Sequence, residues 1–288
     1  MKFKKGSLKI LILLLIIFLV TISSYILILR NRDNDSNKFI HLSIDDTISL
    51  FEDITYNENS YESIFENETL KYLKKMNRKY GAVFSFYCFY KNDNFDLSQC
   101  TSKFADEFTE NASWLKFGFH NINNEGNLSN ADGKQADSDY QLVIKELVRI
   151  TGDENCLDTV IRLQNFAGNL EVIKSIKNTS NGVIGLFTAD DDRASYYLDI
   201  EDNKYIDEND YFYDDENDLF FISTDLRLEK TISPYYKLMN ISKDNKQNNI
   251  IEVFTHEWNM NMLTKLKINE TCFFASKNGY SWDFPMNR

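Results

Sequence analysis

Several short apolar runs in this 288-residue sequence end directly in side chains that could do chemistry. Residues 39–44 run into Asp45-Asp46, and 115–119 into His120. The run 159–163 carries Arg162 and leads into Asn165-Phe166-Ala167-Gly168. The run 183–187 leads to Asp190-Asp191-Asp192-Arg193, and 250–254 to Thr255-His256. Imidazoles together with carboxylates and a guanidinium suit divalent-metal binding combined with acid–base catalysis. Adjacent Asp45 and Asp46 at the end of a buried strand need a cationic partner, because an unpaired buried charge is costly. A metal ion or Arg162 would supply one. The chain has three histidines. His120 and His256 follow apolar runs directly and read as functional, whereas His41, inside the first run, reads as a core or wall residue. For Asp190 to Asp192 the competing reading is a helix cap or turn.

Those groups act together only if the intervening elements bring them to one place. Strand-like runs fall at 39–44, 82–90, 115–119, 159–163, 183–187, 219–222 and 250–254, with helical patterns at 63–80, 102–111 and 136–150 between them. In the first of these helices Ile64, Phe65, Leu70, Leu73 and Met76 make an apolar stripe near the 3.6-residue period. Strands that are apolar throughout, alternating with amphipathic helices, imply an α/β fold with a parallel sheet covered on both faces. Seven such strands predict a (β/α) barrel, distorted or incomplete, over residues 38–288. The carboxyl ends of parallel barrel strands open onto one face, so all five polar clusters would share one mouth. The stretch 199–218 breaks the rhythm and reads as a solvated acidic, aromatic excursion with a short hairpin. It lacks the central glycine and final glutamate of a calcium loop.

The N-terminus sets the compartment. Residues 10–29 form an apolar stretch whose polar members are Thr21, Ser23 and Ser24. As a helix it spans about 30 Å, the thickness of a bilayer's hydrocarbon core. Lys2, Lys4, Lys5 and Lys9 precede it and predict a cytoplasmic tip, with everything after Arg30 outside. Residues 1–30 are thus expected to be a transmembrane signal anchor and 31–37 a polar tether. The alternative is a signal peptide cleaved near Thr21-Ile22-Ser23, which also exports the rest. Residues 1–30 hold no acid and carry +5, so the −12 of the whole chain leaves −17 on the remainder. That charge repels phosphate backbones and argues against nucleic acid as a partner. Four cysteines, Cys88, Cys100, Cys156 and Cys272, show no metal-type spacing.

At these residues the chain resembles the polysaccharide deacetylase superfamily of NodB-type carbohydrate esterases. The resemblance rests on Leu42-Ser43-Ile44-Asp45-Asp46, Phe117-Gly118-Phe119-His120, Arg162 through Gly168, and Phe254-Thr255-His256, in the family's order. It implies a metal-dependent enzyme removing acetyl groups from N-acetylated envelope or extracellular polysaccharide. Asp45 would be general base, His256 general acid, and Arg162 the residue that orients and charges Asp45. Asp46 and His120 would hold a divalent metal, zinc in the first instance. Asn124 stands where the family has its second metal histidine and would be a weak ligand. Leu163-Gln164 replaces the family's proline segment, and Asp190 to Arg193 replace its aspartate–tryptophan segment. Asp190, Asp191, Arg193 and Asn165 are therefore further site candidates. Two other functions stay open: a non-catalytic glycan-binding or envelope-organising module, and a glycoside hydrolase using Asp45 and Asp190, which would release reducing ends.

Overall fold

The computed structural model describes residues 38–243 and 250–286. The expected membrane helix at 10–29 and the tether at 31–37 lie outside the described residues. Among the described residues no helix is long and apolar enough to cross a membrane.

Ten strands run along the described chain: β1 (Phe39–Thr47), β2 (Phe84–Phe89), β3 (Leu115–Asn121), β4 (Val160–Ile161), β5 (Gly185–Phe187), β6 (Tyr211–Asp214), β7 (Leu219–Ile222), β8 (Leu226–Arg227), β9 (Ile250–His256) and β10 (Ser281–Trp282). The seven apolar runs became β1, β2, β3, β4, β5, β7 and β9. They are apolar throughout because both faces are covered; every residue of β2 is buried. The first sheet has the order β3-β2-β1-β9-β8, all parallel, with β10 also parallel to β1. The second has the order β4-β5-β7-β6, parallel except for β6. A parallel bridge between Phe117 and Leu157 links β3 to the segment entering β4.

The described strands therefore form two sheets and not a closed barrel. The hairpin explains the opening. β6 pairs antiparallel along the outer edge of β7 and occupies the hydrogen-bonding groups that a closing strand would need. β8 follows after three residues and joins β9 instead.

Among the described residues eight α-helices accompany the strands: α1 (Ser49–Tyr56), α2 (Glu68–Tyr80), α3 (Ala105–Glu110), α4 (Gly133–Thr151), α5 (Leu170–Lys177), α6 (Ile200–Asn209), α7 (Pro234–Ile241) and α8 (Met262–Asn278). Local chemistry sets their ends. The Asn67 side chain caps α2 by accepting from the amides of Thr69 and Leu70, and Asp132 caps α4 through the amide of Gln135. α2 stops at Gly81, whose φ of +71° a glycine adopts without strain. The helix α6 corrects the expectation of a loop at 199–218. Asp199 and Asp202 form a reciprocal capping box that starts it, and Asn203 and Ile206 bury its inner side. The hairpin expected there is present as β6 and β7. One continuous aromatic-rich core fills the space between sheets and helices. The four cysteines are free and buried, Cys88, Cys100 and Cys272 within that core.

Candidate active site

The carboxyl end of β1 supplies the first two acids. Asp45 is buried, and Asp46, next along, takes φ +59°, a left-handed conformation that breaks the strand's pairing with β2. A non-glycine residue held there marks a site where side-chain direction is over-determined by its surroundings. In register across β1 and β9, Asp45 lies beside His256. His120 is the last residue but one of β3, and Gly118 sets its depth: a Cβ there would stand 2.7 Å from Cγ2 of Ile161 on β4 and 3.1 Å from Tyr87. Only a glycine lets β3 approach β4 this closely.

Three pairs of charged or ionisable groups form the site. Arg162 Nη1 donates to Asp45 Oδ1 at 3.1 Å and to Oδ2 at 3.3 Å, both residues being almost wholly buried. Burial pushes the Asp45 carboxyl above the usual range, opposed by Arg162, His120 and His256. His120 Nε2 lies 3.2 Å from Asp46 Oδ1, and its Nδ1 donates to the carbonyl of Arg162 at 2.6 Å. Burial alone would raise Asp46 and lower His120; their mutual contact outweighs it, holding Asp46 below its ordinary value and His120 above. His256 Nδ1 lies 3.1 Å from Glu229 Oε1, which also accepts from the amide of His256 and the hydroxyl of Thr255. Burial again works against ionisation, but these bonds draw Glu229 down to about 2.

Asp45, Asp46, His120, Arg162 and His256 line a cavity of about 100 Å³, together with Asn124, Asn165 and Arg193, while Glu229 holds His256 from outside the lining. Every site residue expected from the sequence lines it except Asp190 and Asp191, which are turned to other work. Asp191 clamps Arg193 with two hydrogen bonds of 2.6 and 2.8 Å, and Asp190 takes Lys230 at 3.2 Å. A wider cleft of about 680 Å³ adjoins, sharing Asp46 and Asn124 and flanked by Trp258. Trp258 is 67% exposed, stacks on His256 at 5.1 Å and donates from Nε1 to Asp46 Oδ2 at 2.9 Å.

Does this donor set fit a metal ion? A backbone carbonyl only accepts, so His120 Nδ1 carries hydrogen, and in the neutral imidazole Nε2 is then a bare lone pair facing a carboxylate oxygen. Two acceptors 3.2 Å apart need a proton or a cation between them. A histidine pinned by a carbonyl on its other nitrogen is the usual arrangement of a metal ligand. Asp46 and His120 thus fit. The third donor is poorer: Asn124 Oδ1 already accepts from Gln164 Nε2 at 2.9 Å. Among the described residues no group of three His, Cys, Asp or Glu side chains could hold a metal ion.

Two participants carry little signal in the sequence. Glu229 follows the two-residue β8, too short to leave an apolar run. Glu252 is a lone acid inside the run 250–254, four residues before His256, just as His41 stands four before Asp45; that matched spacing is the signal that could have found it.

No family model and no curated protein matches the sequence. Solved structures similar to the chain include a family 4 acetyl xylan esterase from Clostridium thermocellum in complex with a cobalt ion, at 10% identity and a TM-score of 0.47, covering 85% of this chain and 87% of that one. Another is the peptidoglycan deacetylase PdaC from Bacillus subtilis, at 12% identity and a TM-score of 0.41, covering 86% and 88%. A third is a CE4 family pseudoenzyme from Bacillus anthracis, at 12% identity and a TM-score of 0.44, covering 85% of this chain but only 63% of that one. The chain thus spans less than two thirds of the pseudoenzyme's length.

Proposed function

We propose that the chain is a deacetylase-like hydrolase that removes acetyl groups from N-acetylated cell-envelope or extracellular polysaccharide. The reading is carried by one observation: the Asp45–Arg162 and Asp46–His120 pairs and His256, held by Glu229, converge on one small cavity. Asp45 acts as general base, taking a proton from the attacking water; its upward-shifted carboxyl suits that role. Arg162 fixes the direction of Asp45 and keeps it ionised between turnovers. His256 acts as general acid, with Glu229 on Nδ1 leaving Nε2 to deliver a proton to the departing amine. Arg193 adds positive charge to the wall where the acetate product forms.

A divalent metal, zinc in the first instance, would be held by Asp46 and His120 with Asn124 as a weak third donor. When bound, it supplies Lewis-acid polarisation of the acetyl carbonyl. Residues 10–29 would lie in the bilayer and the globular domain outside the cytoplasm, within reach of envelope polymer. The test is acetate release from N-acetylated oligosaccharides by purified protein, with and without added zinc or cobalt. Release that disappears in Asp45→Asn supports the reading; none under any metal condition, with the protein folded, overturns it.

A second reading, a non-catalytic glycan-binding module, is favoured by the commitment of the Asn124 amide to Gln164. Binding of N-acetylated oligosaccharide without acetate release would select it. The glycoside hydrolase reading loses its second carboxylate, since Asp190 pairs with Lys230 and does not line the cavity.

A further inference from the structure

Beneath the site lies a set of buried polar groups for which the proposed chemistry has no direct use. Arg162 Nη2 donates to Glu252 Oε1 at 3.0 Å and to Thr224 Oγ1 at 3.2 Å. Ser43 Oγ donates to the same Glu252 oxygen at 2.7 Å and accepts from Arg162 Nη1 at 2.6 Å. The other Glu252 oxygen lies 2.6 Å from His41 Nδ1, and His41 Nε2 lies 2.9 Å from Ser85 Oγ. Ser85 Oγ in turn donates to Asp158 Oδ2. His41 and Glu252 are both fully buried and face one another in register across β1 and β9.

The hydrogens can be counted. A carboxylate oxygen only accepts, and the Glu252 oxygen facing His41 takes neither Arg162 nor Ser43, so Nδ1 carries the hydrogen toward it. Acidic and basic side chains thus alternate along one buried line, Asp158, His41, Glu252, Arg162 and Asp45. A buried ion is tolerated only when its neighbours compensate it, and removing one member leaves the next uncompensated.

We propose that Glu252 and His41 are positioning residues for the deacetylase-like site: they hold the Arg162 guanidinium so that its Nη1 edge is presented to Asp45. Without Glu252 the guanidinium has Asp45 as its sole carboxylate partner and is free to turn toward it. Without His41 the Glu252 carboxylate is a surplus buried anion and competes with Asp45 for Arg162. The inference rests on the proposed function for its kinetic half, but the protonation of His41 can be read with no substrate present.

The experiment is therefore in two parts. Nitrogen NMR of the full chain, labelled at histidine, reports which ring nitrogens carry hydrogen. The expected result is a His41 ring whose Nδ1 carries hydrogen, a signal absent in His41→Gln and changed in Glu252→Gln. A bare Nδ1 on His41 in the native chain overturns the contact with Glu252, whether or not either variant folds. In the second part, Glu252→Gln lowers kcat for acetate release about tenfold or more with KM within about twofold, and Glu252→Asp recovers part of the loss. Unchanged kcat in Glu252→Gln overturns the positioning role. A native chain that releases no acetate sinks the deacetylase reading and leaves the NMR result standing alone.

Discussion

His120 is gripped at one nitrogen by the carbonyl of Arg162, at 2.6 Å, and offers the other to Asp46 at 3.2 Å. The grip fixes the tautomer, and the tautomer makes the contact with Asp46 a place for a proton or a metal. Because Arg162 also clamps Asp45 through its side chain, one residue of β4's exit sets both the base and the candidate ligand pair.

From that geometry follows a prediction on metal affinity. Asn124 is an amide donor already engaged by Gln164, and imidazole is the better zinc ligand. Asn124→His should tighten zinc binding by roughly tenfold or more, about 1.4 kcal/mol. His120→Ala should abolish it. Calorimetric zinc titration of the native chain and both variants checks this; equal affinity in all three would show that Asp46 and His120 hold no metal.

Glu229 predicts an acid-dependent loss of stability. Its carboxyl is drawn from an ordinary 4.5 to about 2 in the fold. A depressed acid contributes its stabilisation above the unfolded value and loses it as pH falls toward the folded one. The contribution should be whole above about pH 5 and fade as the pH drops to about 2. Its size is on the order of a few kcal/mol, since each tenfold change in proton affinity is worth about 1.4 kcal/mol. Glu229→Gln should therefore be less stable than the native chain at about pH 7 and equal to it near pH 2, as measured by urea unfolding. A gap that persists at low pH would assign the loss to packing.

Much of the frame is legible in the amino-acid order alone. The seven apolar runs became strands because a sheet covered on both faces forces Val, Leu, Ile and Phe at nearly every position. The polar ends converge because parallel strands share a carboxyl face. The rest depends on register between distant segments. Nothing local announces that His41 and Glu252 stand side by side 211 residues apart, or that Glu229 rather than Asp190 reaches His256. The helix α6 was hidden for a different reason: its face is mostly polar, and only the capping box at Asp199 and Asp202 declares its start.

Arg162 compensates two buried carboxylates, Asp45 and Glu252. Arg162→Met should destabilise the fold by about 3–5 kcal/mol, because both acids lose their partner. Arg162→Lys keeps the charge but cannot fork between two acceptors, so it should fold and lose activity. Thermal unfolding and acetate release, measured together, separate the two effects. A Lys variant as active as the native chain would show that charge alone suffices and that the fork is dispensable.

Gly118 tests the packing that sets the depth of His120. An alanine Cβ would lie 2.7 Å from Ile161 and 3.1 Å from Tyr87, closer than side chains tolerate. Gly118→Ala should cost about 1–3 kcal/mol from overpacking. It should also weaken zinc binding, since His120 sits two residues on along the same strand. Gly118→Ala paired with Ile161→Ala, which removes the Cγ2 methyl that the new Cβ meets, should regain part of the zinc binding. No rescue by the smaller partner would place the strain elsewhere.

Trp258 lies where the small cavity opens into the wider cleft. It is exposed, so its indole contributes little to the core, yet it is held by Asp46 and by stacking on His256. An exposed indole fixed in orientation presents a flat apolar face, and the cleft beside it is lined by Lys91, Asn92, Asn123 and Asn124, side chains that hydrogen-bond hydroxyls. A polymer with sugars on both sides of the reacting unit would use that face, whereas a single sugar would not. Trp258→Ala should raise KM for a long N-acetylated oligosaccharide by about tenfold, roughly 1.4 kcal/mol, and leave unfolding stability nearly unchanged. Trp258→Phe keeps the ring but removes the hydrogen bond to Asp46, so it separates stacking from orientation. If KM rises equally for a monosaccharide and a long chain, the indole acts through Asp46 and His256 and not through contact with neighbouring sugars.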